Sequence, residues 1–330
     1  MPEMEYRRLQ MSKGGSFLLS LPKEWVKANG LEGGSVLRLV EGEGGMLTIK
    51  AEEVAETEKG TVAVIREPDG LERQIRANYL FGADTMVIDL GKRMTPATRE
   101  IVKTAIHKLI GLEIVEEEAN SITVQCLLQP TSMPIKSTLK RAYVLAANMH
   151  REAELALAHG DNELALSVDR RDDEVDRLYF LIVRQLRLAL RNASVSEKLG
   201  IRPSECLDLR MAAKYVETIA DYAGAVASTV PKLSHSELDR DIMEALSSLS
   251  AVAYKIHEGA AQALFKQDVK LSDEVQMENA SLGKALVAVN ELLMSRQPRI
   301  AALLNSIAIY FYQIGAHGVD LAELVSGATV

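Results

Sequence analysis

Cysteine is scarce in this chain, and the pattern of the few that occur excludes several kinds of site. The two cysteines among 330 residues, Cys126 and Cys206, lie in unrelated apolar segments and lack the spacing of a metal-binding motif. The first residues also lack the charged stretch, apolar stretch and cleavage site of a secretory signal. We therefore expect a reduced protein with a cytoplasmic localisation.

A long uninterrupted apolar run is also missing. The most apolar window, residues 300–319, is interrupted by Asn305, Ser306, Gln313 and His317. A membrane-spanning helix needs about 20 predominantly apolar residues. The window therefore predicts a buried helix of a bundle and no direct membrane insertion.

Two motifs of common enzyme classes are absent from the sequence. No Gly-rich loop followed by Lys and Ser or Thr occurs, which argues against an NTPase. No Glu-x-x-His pair occurs either, although di-iron bundles usually combine such pairs with bridging acids. We expect a protein that is not an enzyme, with a carboxylate-bridged metalloenzyme as an alternative.

Positive charge is in deficit over the whole chain. The sequence has 38 Lys and Arg against 46 Asp and Glu, a net charge of -8, which argues against a protein that coats nucleic acid with its whole surface. Residues 6–27 are the exception, because they hold five basic residues against one acid. Phosphate contact is electrostatically favoured there, through Arg7, Arg8, Lys13, Lys23 and Lys27.

The basic segment belongs to a small module over residues 1–50. Strand-like stretches at 6–11 and 16–21 flank a Gly-Gly turn, Pro22 suits the first position of a short helix over 23–29, and a hairpin is predicted from strands 35–40 and 46–50. So few residues bury little surface alone, and modules below about 40 to 60 residues usually need a partner. The module therefore predicts a homodimer. The alternative to DNA binding is a module that only dimerises and whose lysines are solvated.

The module resembles the AbrB/SpoVT swapped-hairpin family. The resemblance lies in residues 13–17 (KGGSF), 21–25 (LPKEW) and 30–36 (GLEGGSV). It implies hairpins interleaved between two chains and DNA binding by Arg7, Arg8 and Lys13, with Lys23 and Lys27 flanking.

The rest of the chain divides by its periodicity. Residues 51–60 are acidic and predict a linker, and residues 61–130 predict a small α+β domain with strands 61–66, 85–89, 112–115 and 121–127 and a helix over 95–109. Helical period then predicts six helices, over 135–158, 162–192, 203–230, 236–266, 272–295 and 298–324. Two three-helix repeats, 131–232 and 233–330, follow from this grouping. The predicted fold class is mainly α with a β-rich N-terminus.

Acids recur four residues apart on two helices of the first repeat, as Asp172 with Asp176 and Glu217 with Asp221. Such pairs share one helix face, and like charges there cost about 0.2 to 0.5 kcal/mol per pair unless they are compensated. A bound cation is the natural compensation, and carboxylates suit manganese, iron, zinc or magnesium without discriminating among them. The alternative is that the acids are solvated and pair with Arg170, Arg171, Arg177 and Lys214.

The helical region resembles the PhoU family of phosphate-uptake regulators, whose three-helix repeats carry Glu/Asp-x-x-x-Asp motifs. The resemblance implies that Asp172, Asp176, Glu217 and Asp221 hold metal, with Asp169, Asp173 and Arg210 around them. The corresponding positions of the second repeat are Ser272, Gln276, Tyr312 and Ala316, and Asn305 stands for the arginine. We therefore expect one metal site or cluster per chain.

Both resemblances together predict a regulator. The order of modules looks like the archaeal type of phosphate regulator, which implies a PhoU-like homodimer that binds DNA and acts with a phosphate ABC transporter or its signalling partners. A non-catalytic dimeric scaffold, in which the acids only keep the bundle in solution, is a further alternative.

Overall fold

The computed structural model describes residues 6–41, 45–51, 60–233 and 239–325 of the chain. These residues form two compact units, Met1–Lys59 and Gly60–Val330. Most of the predicted linker and the predicted helix start at residue 236 lie outside the described residues. The predicted fold class, mainly α with a β-rich N-terminus, is confirmed.

The first unit consists of two small hairpins with a short helix between them. Strands β1 (Gln10–Met11) and β2 (Phe17–Leu18) pair across a turn in which Gly15 has a φ of 83°, a conformation that only glycine adopts without strain. Helix α1 (Lys23–Ala28) lies where a short helix was predicted, and Pro22 is its N-cap residue instead of its first helical residue. Strands β3 (Leu37–Glu41) and β4 (Leu47–Ala51) form the second hairpin. The first two strands are shorter than predicted because only two residue pairs are in register.

The first unit exposes its apolar residues. None of its side chains that the structure describes is buried, and those of Met11 and Phe17 are 73% and 69% exposed. Fully burying one such side chain stabilises a fold by about 1.5 to 3 kcal/mol. The unit therefore lacks, within one chain, the surface that would cover its apolar residues.

The second unit begins with a four-stranded sheet. Its strands are β5 (Val62–Ile65), β6 (Thr85–Asp89), β7 (Leu112–Glu117) and β8 (Ser121–Cys126), in the order β5-β6-β8-β7. β5 and β6 are parallel and the other neighbours antiparallel. Helices α2 (Leu71–Leu80) and α3 (Pro96–His107) complete the predicted α+β layer.

Helix α2 was not predicted. It follows Gly70, whose φ of 67° places it in the left-handed region, and it buries only Leu71, Ile75 and Tyr79. These three residues are four apart, so they form a narrow stripe among charged and polar residues. A stripe of three is too short to stand out as a helical period.

The remaining chain is helical. Its helices are α4 (Ile135–His159), α5 (Asn162–Arg191), α6 (Ala193–Leu199), α7 (Glu205–Thr229), α8 (Arg240–Lys266), α9 (Val269–Met277), α10 (Asn279–Leu293) and α11 (Pro298–Glu323). α4, α5 and α7 pack as one group and α8, α10 and α11 as another, and α7 packs on α11. One hydrophobic cluster runs through both groups, and a separate one fills the α+β layer.

Two of these helices correct the prediction. α6 is an extra helix, because the Asn192 side chain accepts a hydrogen bond from the Ser194 N–H and starts a new turn after α5. The helix predicted over 272–295 is two helices, since Asp268 caps α9 and the chain breaks at Glu278 before α10. The Asn192 cap sets the start of α6, which hydrophobic period does not report, whereas the break at Glu278 carries no side-chain capping hydrogen bond.

The most apolar helix, α11, lies in the bundle. It is the one helix in the described ranges that is long and apolar enough to cross a membrane, with a mean hydropathy of 1.2. It buries Leu304, Ile307, Phe311 and Leu321 in the cluster shared by both groups. A Cβ on Gly318 would lie 2.8 Å from the backbone of His257, so α11 and α8 pack closer than any larger residue would allow.

A buried polar chain joins the first helices of the two groups. His150 on α4 and His257 on α8 are fully buried, and their Nδ1 and Nε2 atoms are 2.9 Å apart. The Tyr143 hydroxyl lies 3.1 Å from the other nitrogen of His257, and the Ser250 hydroxyl 3.0 Å from the other nitrogen of His150. All four imidazole nitrogens thus have a hydrogen-bond partner, which is the satisfied interior role expected of such residues.

A buried arginine holds the α+β layer against the bundle. Arg184 on α5 donates to the carbonyls of Tyr79 and Ala83 at 2.7 and 2.9 Å, and pairs with Asp84 at 3.1 Å. Its guanidinium also lies over the Tyr79 ring. The charge is buried with its donors satisfied, so these contacts tie α5 to the end of α2.

Candidate metal centre

The four predicted acids lie on the facing sides of α5 and α7. Asp172 and Asp176 come from α5, Glu217 and Asp221 from α7, and each pair is one helical turn apart. The α7 backbone lies near α5 here, since a Cβ on Gly224 would be in ordinary contact with the Asp172 carboxyl carbon, at 4.0 Å. The geometry places acids from both helices in one seam.

Three of these acids already converge. Asp176, Glu217 and Asp221 each offer an oxygen, and the three oxygens lie within 4.8 Å of one another. Glu217 is buried, Asp176 is half-buried and Asp221 is exposed, so the cluster opens to solvent on the Asp221 side. Ligand oxygens that share one ion at about 2.1 Å are at most roughly 4.2 Å apart, so the cluster needs only a small contraction to bind one.

Asp172 stands beside this trio with an unusual feature. Its Oδ1 atom is buried and has no hydrogen-bond partner among the described residues. Burial, followed by the charges of Asp221, Asp176 and Glu217, raises the pKa of the Asp172 carboxyl to about 7. A buried acceptor without a partner costs roughly 1 to 3 kcal/mol, and a cation in the seam would remove that cost.

The neighbouring acids are perturbed in the same direction. Burial and then Glu217 raise the pKa of Asp176 to about 6, and the same two causes raise that of Asp221 to about 6. Burial is the larger cause of these raised pKa values, and the mutual repulsion of the carboxylates adds to it in the same direction. The donor set, the orphaned oxygen and this mutual repulsion all fit an oxygen-preferring metal ion.

One cation of the chain itself reaches the cluster. The Lys214 ammonium donates to Glu217 and lies 4.0 Å from Asp221, and the Thr218 hydroxyl donates to the same Glu217 oxygen at 3.2 Å. The predicted alternative of acid–base pairing is therefore realised for Lys214. Arg171 instead pairs with Glu152 on α4.

The residues expected around the ligands take different roles. Asp173 contributes to the raised pKa of both α5 acids, and Asp169 is exposed. Arg210 donates to the Tyr179 hydroxyl at 2.6 Å, and its guanidinium lies over the Tyr179 ring. Tyr179 was missed by the sequence analysis, although it lies three residues after Asp176 on the same helix face.

A second missed residue comes from outside the bundle. The charge of Lys108, the residue that ends α3, lowers the pKa of Asp176. Its position beside the seam depends on how the α+β layer packs on α5. No spacing in the sequence could have indicated it.

The equivalent seam of the second group is closed by hydrogen bonds. Ser272 is fully buried and donates to the Ala322 carbonyl at 2.7 Å, while the Gln276 amide lies 3.3 Å from the Ser272 hydroxyl. Tyr312 and Ala316 are half-buried on α11. Across the ranges that the structure describes, the trio in the first group is the one carboxylate cluster of metal-binding size.

The five basic residues predicted to contact DNA are all exposed in the first unit. Arg7 and Arg8 precede β1, Lys13 lies in the β1–β2 turn, and Lys23 and Lys27 share one face of α1. Their assignment to DNA stays a prediction.

Comparison with known proteins identifies two modules. Residues 139–230 match the PhoU domain and residues 10–57 match the antidote-toxin recognition domain MazE of bacterial antitoxins, an AbrB-like domain. The predicted recognition of these two modules is confirmed. No curated protein sequence matches the chain.

Solved structures support the fold of the helical region. PhoU from Pseudomonas aeruginosa is 22% identical with a TM-score of 0.52, and the match covers 58% of this chain and 93% of that one. The phosphate transport system regulatory protein PhoU from Streptococcus pneumoniae is 14% identical with a TM-score of 0.51, covering 59% and 95%. At these identities the likeness shows a shared fold.

Proposed function

We propose that the chain, with a PhoU domain behind a MazE/AbrB-like module, is a PhoU-like regulator of phosphate uptake. In this proposal it binds metal through Asp172, Asp176, Glu217 and Asp221, and DNA through the first unit of a homodimer. The regulatory role is supported by the PhoU domain match and by the fold shared with a phosphate transport system regulatory protein.

The metal part of the proposal rests on one observation above all. Carboxylates from two helices converge in a seam where the buried Oδ1 of Asp172 has no hydrogen-bond partner within the described ranges. A manganese, iron, zinc or magnesium ion would be held by these four acids and would supply the missing positive charge. The protein's own contribution is positioning, since α5 and α7 hold the acids at fixed spacing on the two sides of the seam.

The DNA part rests on the first unit. Its lack of any buried described residue favours association of two copies, and its exposed cations supply the charge that duplex DNA requires. The match to the MazE domain favours the same role. In this proposal the protein acts in the cytoplasm, together with a phosphate ABC transporter or its signalling partners.

The metalloenzyme alternative has less support. The seam offers carboxylates but no histidine among the clustered ligands, and the sequence lacks Glu-x-x-His pairs. The proposal is therefore a non-catalytic regulator, and oxygen-dependent turnover or phosphatase activity of the metal-loaded protein would contradict it.

The metal site is tested by elemental analysis of protein purified without chelator or affinity metal. Wild type should contain metal, and the variant with Asp172, Asp176, Glu217 and Asp221 replaced by alanine should contain none while keeping its helical circular dichroism. The matched control replaces Asp273 and Glu274, exposed acids of α9 in the other group, and should retain metal. Absence of metal from wild type would overturn the site.

The DNA role is tested by the salt dependence of binding to duplex DNA. Replacing Arg7, Arg8 and Lys13 with alanine should weaken binding and flatten the slope of log K against log salt by about 0.9 for each lost phosphate contact. Lys284, an exposed lysine of α10, gives the control substitution and should leave the slope unchanged. Unchanged affinity of the triple variant would overturn the assignment of these residues.

A further inference from the structure

The two edges of the four-stranded sheet differ in a way that the regulator function does not explain. β5 forms one edge, and among the described residues it is hydrogen-bonded to β6 on one side only. Its four residues, Val62-Ala63-Val64-Ile65, carry no charge, no proline and no bulge. Val62 is 61% and Val64 49% exposed. The edge is thus regular, apolar and open.

β7 forms the opposite edge and is built differently. Its register against β8 shifts between Ile114 and Glu116, which marks a β-bulge. Three of its six residues are glutamates, at positions 113, 116 and 117. Bulges and charges are the devices by which natural sheets prevent edge-to-edge association. One edge of this sheet is therefore protected, and the other is not.

An unprotected edge presents a row of N–H and C=O groups that can pair with another strand. A second copy of this chain is the occupant that the rest of the molecule brings close. No side chain of the first unit that the structure describes is buried, which favours association of two copies. β4 ends at Ala51 and β5 starts at Val62, and the ten residues between them reach at most about 35 Å.

Association of two first units would therefore hold the two β5 strands within a confined volume. The pairing of those strands then becomes an event within one dimer, with an effective concentration that can reach the millimolar range for short connections. A weak four-residue strand contact can be populated under these conditions, although it would not form between separate chains at cellular concentrations.

We propose that β5 of one copy pairs antiparallel with β5 of a second copy, which joins the two four-stranded sheets into one. A twofold axis near Ala63 and Val64 makes this contact self-complementary, as an interface between identical subunits requires. Valine side chains then face each other across the axis, and β-branched cross-strand pairs stabilise such a ladder by about 0.2 to 1 kcal/mol each. The contact rests on the homodimer of the proposed function and adds a second interface to it.

The chain provides a matched pair of positions for the test. Val64 on β5 is 49% exposed and Val115 on β7 is 50% exposed. Each of these two valines is replaced by cysteine in the full-length protein. A further variant replaces both Val62 and Val64 with cysteine, so that either register of the paired strands can form a disulfide bond. Directly opposed residues of paired strands have Cα atoms close enough for a disulfide bond. The wild-type protein is the control for cross-linking through the native cysteines, which are the half-buried Cys126 and the buried Cys206.

Mild oxidation followed by mass analysis without reductant should give a covalent dimer for the β5 variants and none for the Val115→Cys variant. In sedimentation experiments Val64→Lys should weaken the dimer at least tenfold, because like charges would oppose each other across the axis. Val115→Lys should leave the dissociation constant unchanged.

The possible failures are distinguishable. A wild-type protein that is monomeric at all concentrations overturns the proposed homodimer and this contact with it. A dimer whose β5 cysteines do not cross-link, and whose stability is unaffected by Val64→Lys, overturns the β5 contact alone. Cross-linking of Val115→Cys as efficient as that of the β5 variants also overturns it, because the bond would then reflect random collision.

Discussion

The two helix groups pack in a similar way but differ in the polar side chains that lie between their helices. In the first group the seam between α5 and α7 collects four carboxylates, and a buried oxygen of Asp172 has no partner in the part of the chain that the structure describes. In the second group the buried Ser272 hydroxyl donates to the Ala322 carbonyl, so that seam is satisfied within the chain. Burying a polar group is costly unless it is paired. The contrast supports the proposed metal site in the first seam, whereas the second seam forms a satisfied contact within the chain.

The largest expected effect is on the first seam. With all four acids replaced by alanine, the metal content should fall to zero. The free energy of unfolding of the metal-free protein should stay equal or increase, because mutual repulsion of the carboxylates is removed. Chemical denaturation after chelation measures this. Loss of the folded state would show that the acids are structural and would end the contrast between the groups.

The reciprocal change introduces an acid into the second seam. Ser272→Asp should destabilise the protein by about 3 to 5 kcal/mol, because it buries a charge without a partner in a fully covered position. Asp172→Ser in the first group should not destabilise the metal-free protein. A stable Ser272→Asp variant that acquires metal would show that both seams can bind ions.

A third prediction concerns the histidine chain that joins the two groups. Burial lowers the pKa of His150 to about 3 and that of His257 well below its usual value. Both histidines therefore stay neutral in the folded protein but take up protons in the unfolded chain below pH 6.5. Stability is then lost as the pH falls, by about 1.4 kcal/mol per histidine at pH 5.5.

The raised carboxylate pKa values act with the opposite sign, since the folded state binds those protons first. The measurement therefore belongs in the four-alanine background. Unfolding free energies between pH 7.5 and 5.5 should fall by about 3 kcal/mol for two such histidines, and the slope should flatten when both are replaced by glutamine. Equal slopes in the two proteins would contradict the prediction.

The smallest effect concerns Lys214, which occupies the first seam with its ammonium group. Lys214→Met should increase metal affinity about tenfold, or about 1.4 kcal/mol, because the competing charge at Glu217 and Asp221 is removed. Lys214→Arg keeps the charge and should bind metal as wild type does. Calorimetric titration of metal into the chelated protein measures both. Weaker binding by the methionine variant would mean that Lys214 supports the ion.

Much of this architecture could be predicted because it depends on spacing along one helix. The acids four residues apart on α5 and α7 and the long helical periods are of this kind, because both can be read from a continuous stretch of the sequence. Helix α2 and helix α6 could not be predicted, since one buries only three residues and the other depends on the Asn192 cap.

The details of the site depended on contacts between helices. Lys214 and Arg171 were equal candidates for pairing with the acids, and only the packing of α4 against α5 gives Arg171 its partner in Glu152. The burial of Asp172 likewise depends on the packing of α5 against α7. Lys108 reaches Asp176 from a different layer. Such pairings are decided by tertiary structure, which a single sequence does not encode in any short pattern.

The Arg184 contacts have a practical consequence for preparing fragments of this protein. A helical fragment that begins at the boundary predicted near residue 130 would lack Tyr79, Ala83 and Asp84, the acceptors of a guanidinium that is only 3% exposed. Without the layer this guanidinium would lose those acceptors, and the apolar side chain of Phe180, which packs against the core of the layer, would become exposed. Fragments intended for crystallisation or binding studies should therefore begin at Gly60, so that the sheet and the bundle are expressed together.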